Sequence, residues 1–151
     1  MADQTHTPMR ILVLCTGNSC RSQMAEALLG RAGGDRVAVS SAGTHPSVVH
    51  PMTIRVLAEL GIDWAGARSK SMAEFLDQPF DLVVTVCDDA REACPVFPGA
   101  GRRLHRAFPD PAIVTGTEAE RLTAFRRVRD EVAAWAQELV GGALTPPRLG
   151  R

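Results

Sequence analysis

The sequence has no excess of either charge sign, since Lys and Arg together number 17 and so do Asp and Glu. No net field draws the whole molecule onto nucleic acid or an anionic membrane, so any anion site must be local. Long hydrophobic runs are also missing. The N-terminal stretch MADQTHTPMRILVLC holds one short apolar run, far below a secretory core or a membrane span, which predicts a cytoplasmic protein. Cysteine is sparse, with four residues at Cys15, Cys20, Cys87 and Cys94. Their C-x4-C and C-x6-C spacings lack the paired C-x2-C of zinc ribbons and fingers, so no metal site is expected. A chain with a substantial core needs no disulfide staples, and in a reducing compartment these residues are thiols unless their task is redox. There is no internal repeat.

Hydrophobic residues make up 45% of the chain and charged residues 23%, the composition of one self-folding globular domain. Residues 1–8 and 142–151 are polar or rich in Gly and Pro and read as flexible ends around a single domain over 9–141. RILVL (Arg10 to Leu14) and DLVVTV (Asp81 to Val86) have the apolar character of strands buried on both faces of a parallel sheet. VAVSSAG (Val37 to Gly43) alternates like a strand, and RRLHRAF before Pro109 is a weaker candidate. Helices are expected over Ser22 to Gly33, over Pro51 to Ile62 and, behind a Thr117 N-cap, to Val140. The alternation predicts a three-layer αβα fold around a parallel sheet of about four strands, with ligands beyond the C-terminal strand ends. Cys15 and Cys87 both fall there.

Between Cys15 and Arg21 the loop TGNSC is small and polar, so its backbone N–H groups can turn inward. A helix starting near Ser22 adds its positive N-terminal end, and the Arg21 guanidinium can fork onto two oxygens of a tetrahedral oxyanion. Phosphate and arsenate fit such a cradle equally. The same cation and helix end would lower the Cys15 thiol below its ordinary value of about 8.5 and favour thiolate.

The stretch VLCTGNSCRSQMAEAL resembles the signature loop of the low-molecular-weight tyrosine phosphatase fold. CTGNSCRSQMAE is most similar to the arsenate reductases built on that fold, with Ser19 and Cys20 following their pattern. The resemblance implies that Cys15 is the nucleophile and that Ser22 hydrogen-bonds its thiolate. Thr16, Gly17, Asn18, Ser19, Cys20, Arg21 and Ser22 form the oxyanion loop, and Cys20 is a small buried thiol without a redox role.

VTVCDDAREACPVFPG adds a second feature, because a phosphatase needs one thiol only. Combined with the Cys15 loop, VTVCDDAREACP resembles the second-and-third-cysteine segment of thioredoxin-coupled arsenate reductases. By that resemblance Cys87 attacks the Cys15 arsenic adduct, Cys94 then attacks Cys87, and reduced thioredoxin closes the cycle. No bound cofactor is expected. HRAFPDPA offers Asp110 as the matching general acid. The chain has no tyrosine, and Ala112 follows the DP pair where tyrosine phosphatases of this fold carry an aromatic residue. A phosphatase with a redox-switch cysteine pair is therefore the second expectation, and a non-enzymatic oxyanion or redox sensor the third. Partners are arsenate, with phosphate or sulfate competing, and thioredoxin, to a protein expected to be monomeric.

Several reductases of the family bind potassium behind the loop through residues equivalent to Asn18, Glu26 and Ser41 and an Asp whose place here is taken by Lys70. The resemblance thus implies a lysine ammonium in place of the ion. His6, His45, His50 and His105 have no metal spacing and read as surface or turn residues. Arg121, Arg126, Arg127 and Arg129, interleaved with Glu118, Glu120, Asp130 and Glu131, read as a solvated helix face.

Overall fold

The computed structural model describes residues 7–88 and 96–142. Four parallel strands, β1 (Met9–Cys15), β2 (Val37–Gly43), β3 (Phe80–Thr85) and β4 (Ala100–His105), form one sheet in the order β2-β1-β3-β4. Helices α1 (Arg21–Gly33), α2 (Pro51–Ala58) and α3 (Glu118–Gly142) complete the regular structure. Among the described residues no helix is long and apolar enough to cross a membrane.

Strand β1 is central, and Ile11, Leu12, Val13 and Leu14 are all fully buried. Because side chains alternate across a strand, Ile11 and Val13 enter the core shared with α1, α2 and α3. Leu12 and Leu14 enter a smaller core on the opposite face with Phe80, Val83 and Phe97. Met72 and Phe75, in a short 3-10 turn (Met72–Phe75), cover that face, so the third layer is thinner than the helical one. The chain leaves β1 for β2 on one side and reaches β3 on the other, so the loop after β1 lies at a topological switch point.

Element ends depart from the sequence expectations for local reasons. Helix α2 stops at Ala58, and the chain turns through Gly61 at φ 81°, a conformation that suits glycine. Strand β4 starts earlier than RRLHRAF, at Ala100, and is exposed along most of its length. Helix α3 opens as a capping box, with Thr117 Oγ1 accepting from Glu120 N at 3.1 Å and Thr117 N donating to Glu120 Oε1 at 2.8 Å. The solvated-face reading of α3 fails at Arg129. Its side chain is buried and donates to Val56 O at 3.0 Å, Glu59 Oε1 at 2.7 Å and Asp130 Oδ1 at 2.9 Å, tying α3 to α2. Arg126, expected on the same face, also pairs with Glu59, at 2.7 Å. The flexible ends expected from composition fall mostly on residues 1–6 and 143–151, outside the described residues.

Candidate active site

Strand β1 delivers Cys15, 2% exposed, to the start of the loop, and α1 begins at Arg21. The intervening carbonyls are pulled outward. Thr44 N donates to Cys15 O at 3.4 Å, His45 N to Thr16 O at 2.9 Å, Ser47 N to Gly17 O at 3.2 Å and His50 N to Ser19 O at 3.1 Å. With its carbonyls zipped to residues 44–50, the loop leaves the amides of Gly17, Ser19 and Cys20 without a protein acceptor among the described residues. Those amides and the α1 N-terminus make the cradle suited to an anion. A Cβ on Gly43 would lie 2.3 Å from Thr16 O, so glycine is needed for this close approach.

Behind the cradle lies a buried polar network. Asn18, the only described non-glycine residue at positive φ, adopts 50°, a region Asn tolerates. Its Nδ2 donates to Ser22 Oγ at 2.8 Å and Ser41 Oγ at 2.9 Å, and its Oδ1 accepts from Lys70 N at 2.8 Å. Ser41 Oγ donates to Glu26 Oε1 at 2.6 Å, and Ser22 Oγ lies 2.8 Å from Cys15 Sγ. Burial pushes the Glu26 carboxyl up, opposed by the Ser41 hydrogen bond and by Lys70. Lys70 Nζ lies 3.7 Å from Glu26 Oε1 and donates to Arg68 O at 3.0 Å.

In front, Arg21 is 4% exposed and its Nη2 stands 3.6 Å from Asp110 Oδ2. Asp110 Oδ1 accepts from Ala112 N at 3.0 Å, capping a 3-10 turn (Pro111–Ile113). One carboxylate oxygen is thus anchored while the other faces the guanidinium. Cys15, Thr16, Gly17, Ser19, Cys20, Arg21, Ser47, Asp110 and Ala112 line a cavity of about 320 Å³. This is room for a tetrahedral oxyanion with a thiol below, a cation at the side and a carboxyl at the mouth.

Residues 10–145 match the family described as low molecular weight phosphotyrosine protein phosphatase. The chain belongs to that family. Among curated proteins it is 45% identical, over 81% of its length and 88% of the relative's, to an arsenate reductase of Halalkalibacterium halodurans. Among solved structures it resembles an arsenate reductase in the phosphate binding state, with a TM-score of 0.75 at 29% identity, covering 88% of this chain and 97% of that one. A thioredoxin-dependent arsenate reductase of Corynebacterium glutamicum superposes with a TM-score of 0.66 at 25% identity, covering 93% of this chain and 63% of the other. The fold expected from the loop motif is the fold of this phosphatase family.

Within this member of the family, Cys20 is 5% exposed and burial pushes its thiol up to about 11, against weaker opposing hydrogen bonds from Thr53 and Ser19. Cys15 and Cys20 are free thiols, whereas Cys87 is fully buried and disulfide-bonded. The register Leu14 to Thr85, continued by Val86 N donating to Leu14 O at 3.0 Å, carries the end of β3 alongside the start of the loop. Cys94 lies outside the described residues.

Sequence reading missed three supports of the loop. His50 was expected only as a surface or turn residue, without a role at the loop. Instead its Nδ1 accepts from Met52 N at 3.0 Å as the α2 N-cap, and its ring packs 4.7 Å from that of Phe125, which burial favours in the neutral form. Thr53 Oγ1 donates to Ser19 O at 3.1 Å. Gln23, fully buried in α1, donates from Nε2 to Asn18 Oδ1 at 2.9 Å and Arg68 O at 3.0 Å, while Oε1 accepts from Trp64 Nε1 at 2.8 Å. A polar residue in a helix that buries that face is the only signal the sequence holds for Gln23.

Proposed function

We propose that the chain is an arsenate reductase that uses thioredoxin as its reductant. The observation that carries this reading is the convergence of Cys15, Arg21 and Asp110 on one anion-sized cavity, with Ser22 against the Cys15 sulfur and Cys87 just past the adjoining strand end. In the cycle, the loop amides and Arg21 hold arsenate. Cys15 sulfur bonds to arsenic, and the As–O bond that breaks releases an oxygen protonated by Asp110 as water. Cys87 thiolate attacks Cys15 sulfur, and the S–As electron pair passes to arsenic, which leaves as arsenite, reduced by two electrons. Cys94 attacks Cys87, forming the Cys87–Cys94 disulfide and freeing Cys15, and a thioredoxin dithiol reduces that disulfide. A free Cys15 together with a disulfide-bonded Cys87 suits the end of that sequence.

Phosphate-ester hydrolysis is the second reading, because the same cradle takes a phosphoryl group and the family is named for that activity. Against it, no aromatic side chain among the described residues lines the cavity, where Ser47 and Ala112 stand. Lys70 supports a finer point. Its ammonium beside Glu26 puts positive charge where related reductases use potassium, so this enzyme should need no ion there.

The relay is tested by single-turnover chemistry. Cys15→Ser should abolish arsenite formation, and Cys94→Ser should release about one arsenite per protein before stalling as a Cys15–Cys87 disulfide. Sustained turnover of Cys94→Ser with thioredoxin would contradict it.

A further inference from the structure

The contact between Ser22 Oγ and Cys15 Sγ, at 2.8 Å, can run in either direction by distance alone. The surrounding groups settle which atom donates. Trp64 Nε1 is a donor and nothing else, so the Gln23 atom 2.8 Å from it must be the amide oxygen. Gln23 Nε2 then faces three acceptors, Asn18 Oδ1 at 2.9 Å, Arg68 O at 3.0 Å and Asn18 O at 3.1 Å, of which two are backbone carbonyls. Asn18 Oδ1, placed between Gln23 Nε2 and the donor Lys70 N, forces Asn18 Nδ2 to the far side, onto Ser41 and Ser22. Ser41 uses its single O–H to donate a hydrogen bond to Glu26. Ser22 Oγ, already accepting from Asn18, has its single proton left for the sulfur.

We propose that Gln23 and Trp64 are positioning residues for the Cys15 thiolate: the indole N–H orients the Gln23 amide, Gln23 orients Asn18, and Asn18 turns the Ser22 hydroxyl onto the sulfur. A flipped Gln23 would set its NH2 against the indole N–H and its oxygen against two carbonyls, in a place where the side chain is 0% exposed and every polar atom needs a partner. The device also joins two segments far apart in sequence. Residues 64–70 reach the loop through the Trp64 indole, the Arg68 carbonyl and the Lys70 amide. A donor held on a thiolate stabilises the charged form, so this distant segment contributes to the reactivity of Cys15 without touching an oxyanion.

The inference rests on Cys15 being the nucleophile of the proposed reaction, and its test reads the thiol directly, so that it can fail while arsenate reduction stands. Gln23→Glu keeps the shape and the acceptor for Trp64 but donates nothing to Asn18. Gln23→Met removes both bonds, and Trp64→Phe removes only the orienting donor. The charged and titratable groups around Cys15, namely Arg21, Asp110 and Cys20 in front and Glu26 with Lys70 behind, stay in place in all three, but Gln23→Glu adds a carboxyl of its own, so the uncharged Gln23→Met and Trp64→Phe decide the test.

The measurement is the rate of iodoacetamide alkylation of Cys15 as a function of pH, read by peptide mass spectrometry, with circular dichroism to establish that each variant is folded. Cys20, its thiol pushed up to about 11, shares a tryptic peptide with Cys15 and gains the same mass, so the two are told apart by fragment ions that break the chain between them. Both Gln23 variants should slow alkylation of Cys15 about tenfold on the acid side of its pH profile. Trp64→Phe should slow it by less. An unchanged alkylation profile in folded Gln23→Met and Trp64→Phe would overturn the inference and leave Gln23 as a satisfied core residue. The half-buried Trp64 keeps the test open should the Gln23 variants fail to fold.

Discussion

Replacing Gly43 with alanine tests how the loop is held, using a position that never meets substrate. The new Cβ would fall 2.3 Å from Thr16 O, 3.0 Å from Thr16 C and 3.0 Å from Asn18 N, all backbone atoms. No side chain can swing away, so the loop must retreat by roughly 1 Å to reach ordinary contact with the carbonyl oxygen. That retreat loosens the bonds from Thr44 N and His45 N and moves the amides of the cradle. Overpacking of this kind costs about 1–3 kcal/mol, and a displacement near 1 Å in a positioned site can cost about 10²-fold in rate. At this chain length each kcal/mol lowers the melting temperature by roughly 2–4 °C. Calorimetry, with and without phosphate, and p-nitrophenyl phosphate hydrolysis measure the two effects. Gly30→Ala is the matched control: nothing lies within 4 Å of its Cβ, and alanine inside a helix should stabilise by about 0.5–1 kcal/mol. If Gly43→Ala melted like the parent and kept full activity, the account of a loop clamped against β2 would be wrong.

Asp110→Asn should lower the rate of the first covalent step by about 10²- to 10⁴-fold while phosphate binds at least as well, since a negative charge 3.6 Å from Arg21 is gone; stopped-flow kinetics and calorimetric titration check both halves. Turnover in potassium and sodium chloride should match for the parent, whereas Lys70→Asp should show potassium-specific stimulation; a several-fold potassium response in the parent would refute the Lys70 reading. Glu59 is held down to about 2, chiefly by the Arg126 hydrogen bond, with Arg129 adding to it. A carboxyl depressed in the folded state adds stability above its unfolded value and loses it as the pH falls, here between about 4.5 and 2. Glu59→Gln should therefore lower stability at neutral pH and flatten acid unfolding across that window, followed by circular dichroism.

Sequence pattern reached furthest where one physical demand acted alone. Strand β1 must be apolar on both faces, and Ile11 to Leu14 announce that without ambiguity. The loop composition between Cys15 and Arg21 already implied an anion cradle, and the resemblance singled out Asp110, which stands beside Arg21. Pattern failed where a residue serves a partner distant in sequence. Arg129 looks like one more charge on a solvated helix until Val56 O of α2 and Glu59, just past the end of α2, are seen to take its donors. His50 belongs to no motif, and its capping role follows from the α2 start and the contact with Phe125. Strand β4 was misplaced because its exposed residues carry little hydrophobic alternation to mark its ends.

The central claim is that the thiols of this chain reduce arsenate. It is tested most directly by following arsenate-dependent NADPH oxidation in the presence of thioredoxin and thioredoxin reductase, with p-nitrophenyl phosphate hydrolysis measured on the same preparation. The account predicts sustained arsenate turnover that is lost in Cys15→Ser, beside weak ester hydrolysis through the shared loop. Ester hydrolysis without any arsenate response would contradict it and make the chain a phosphatase whose Cys87 and Cys94 act as a redox switch.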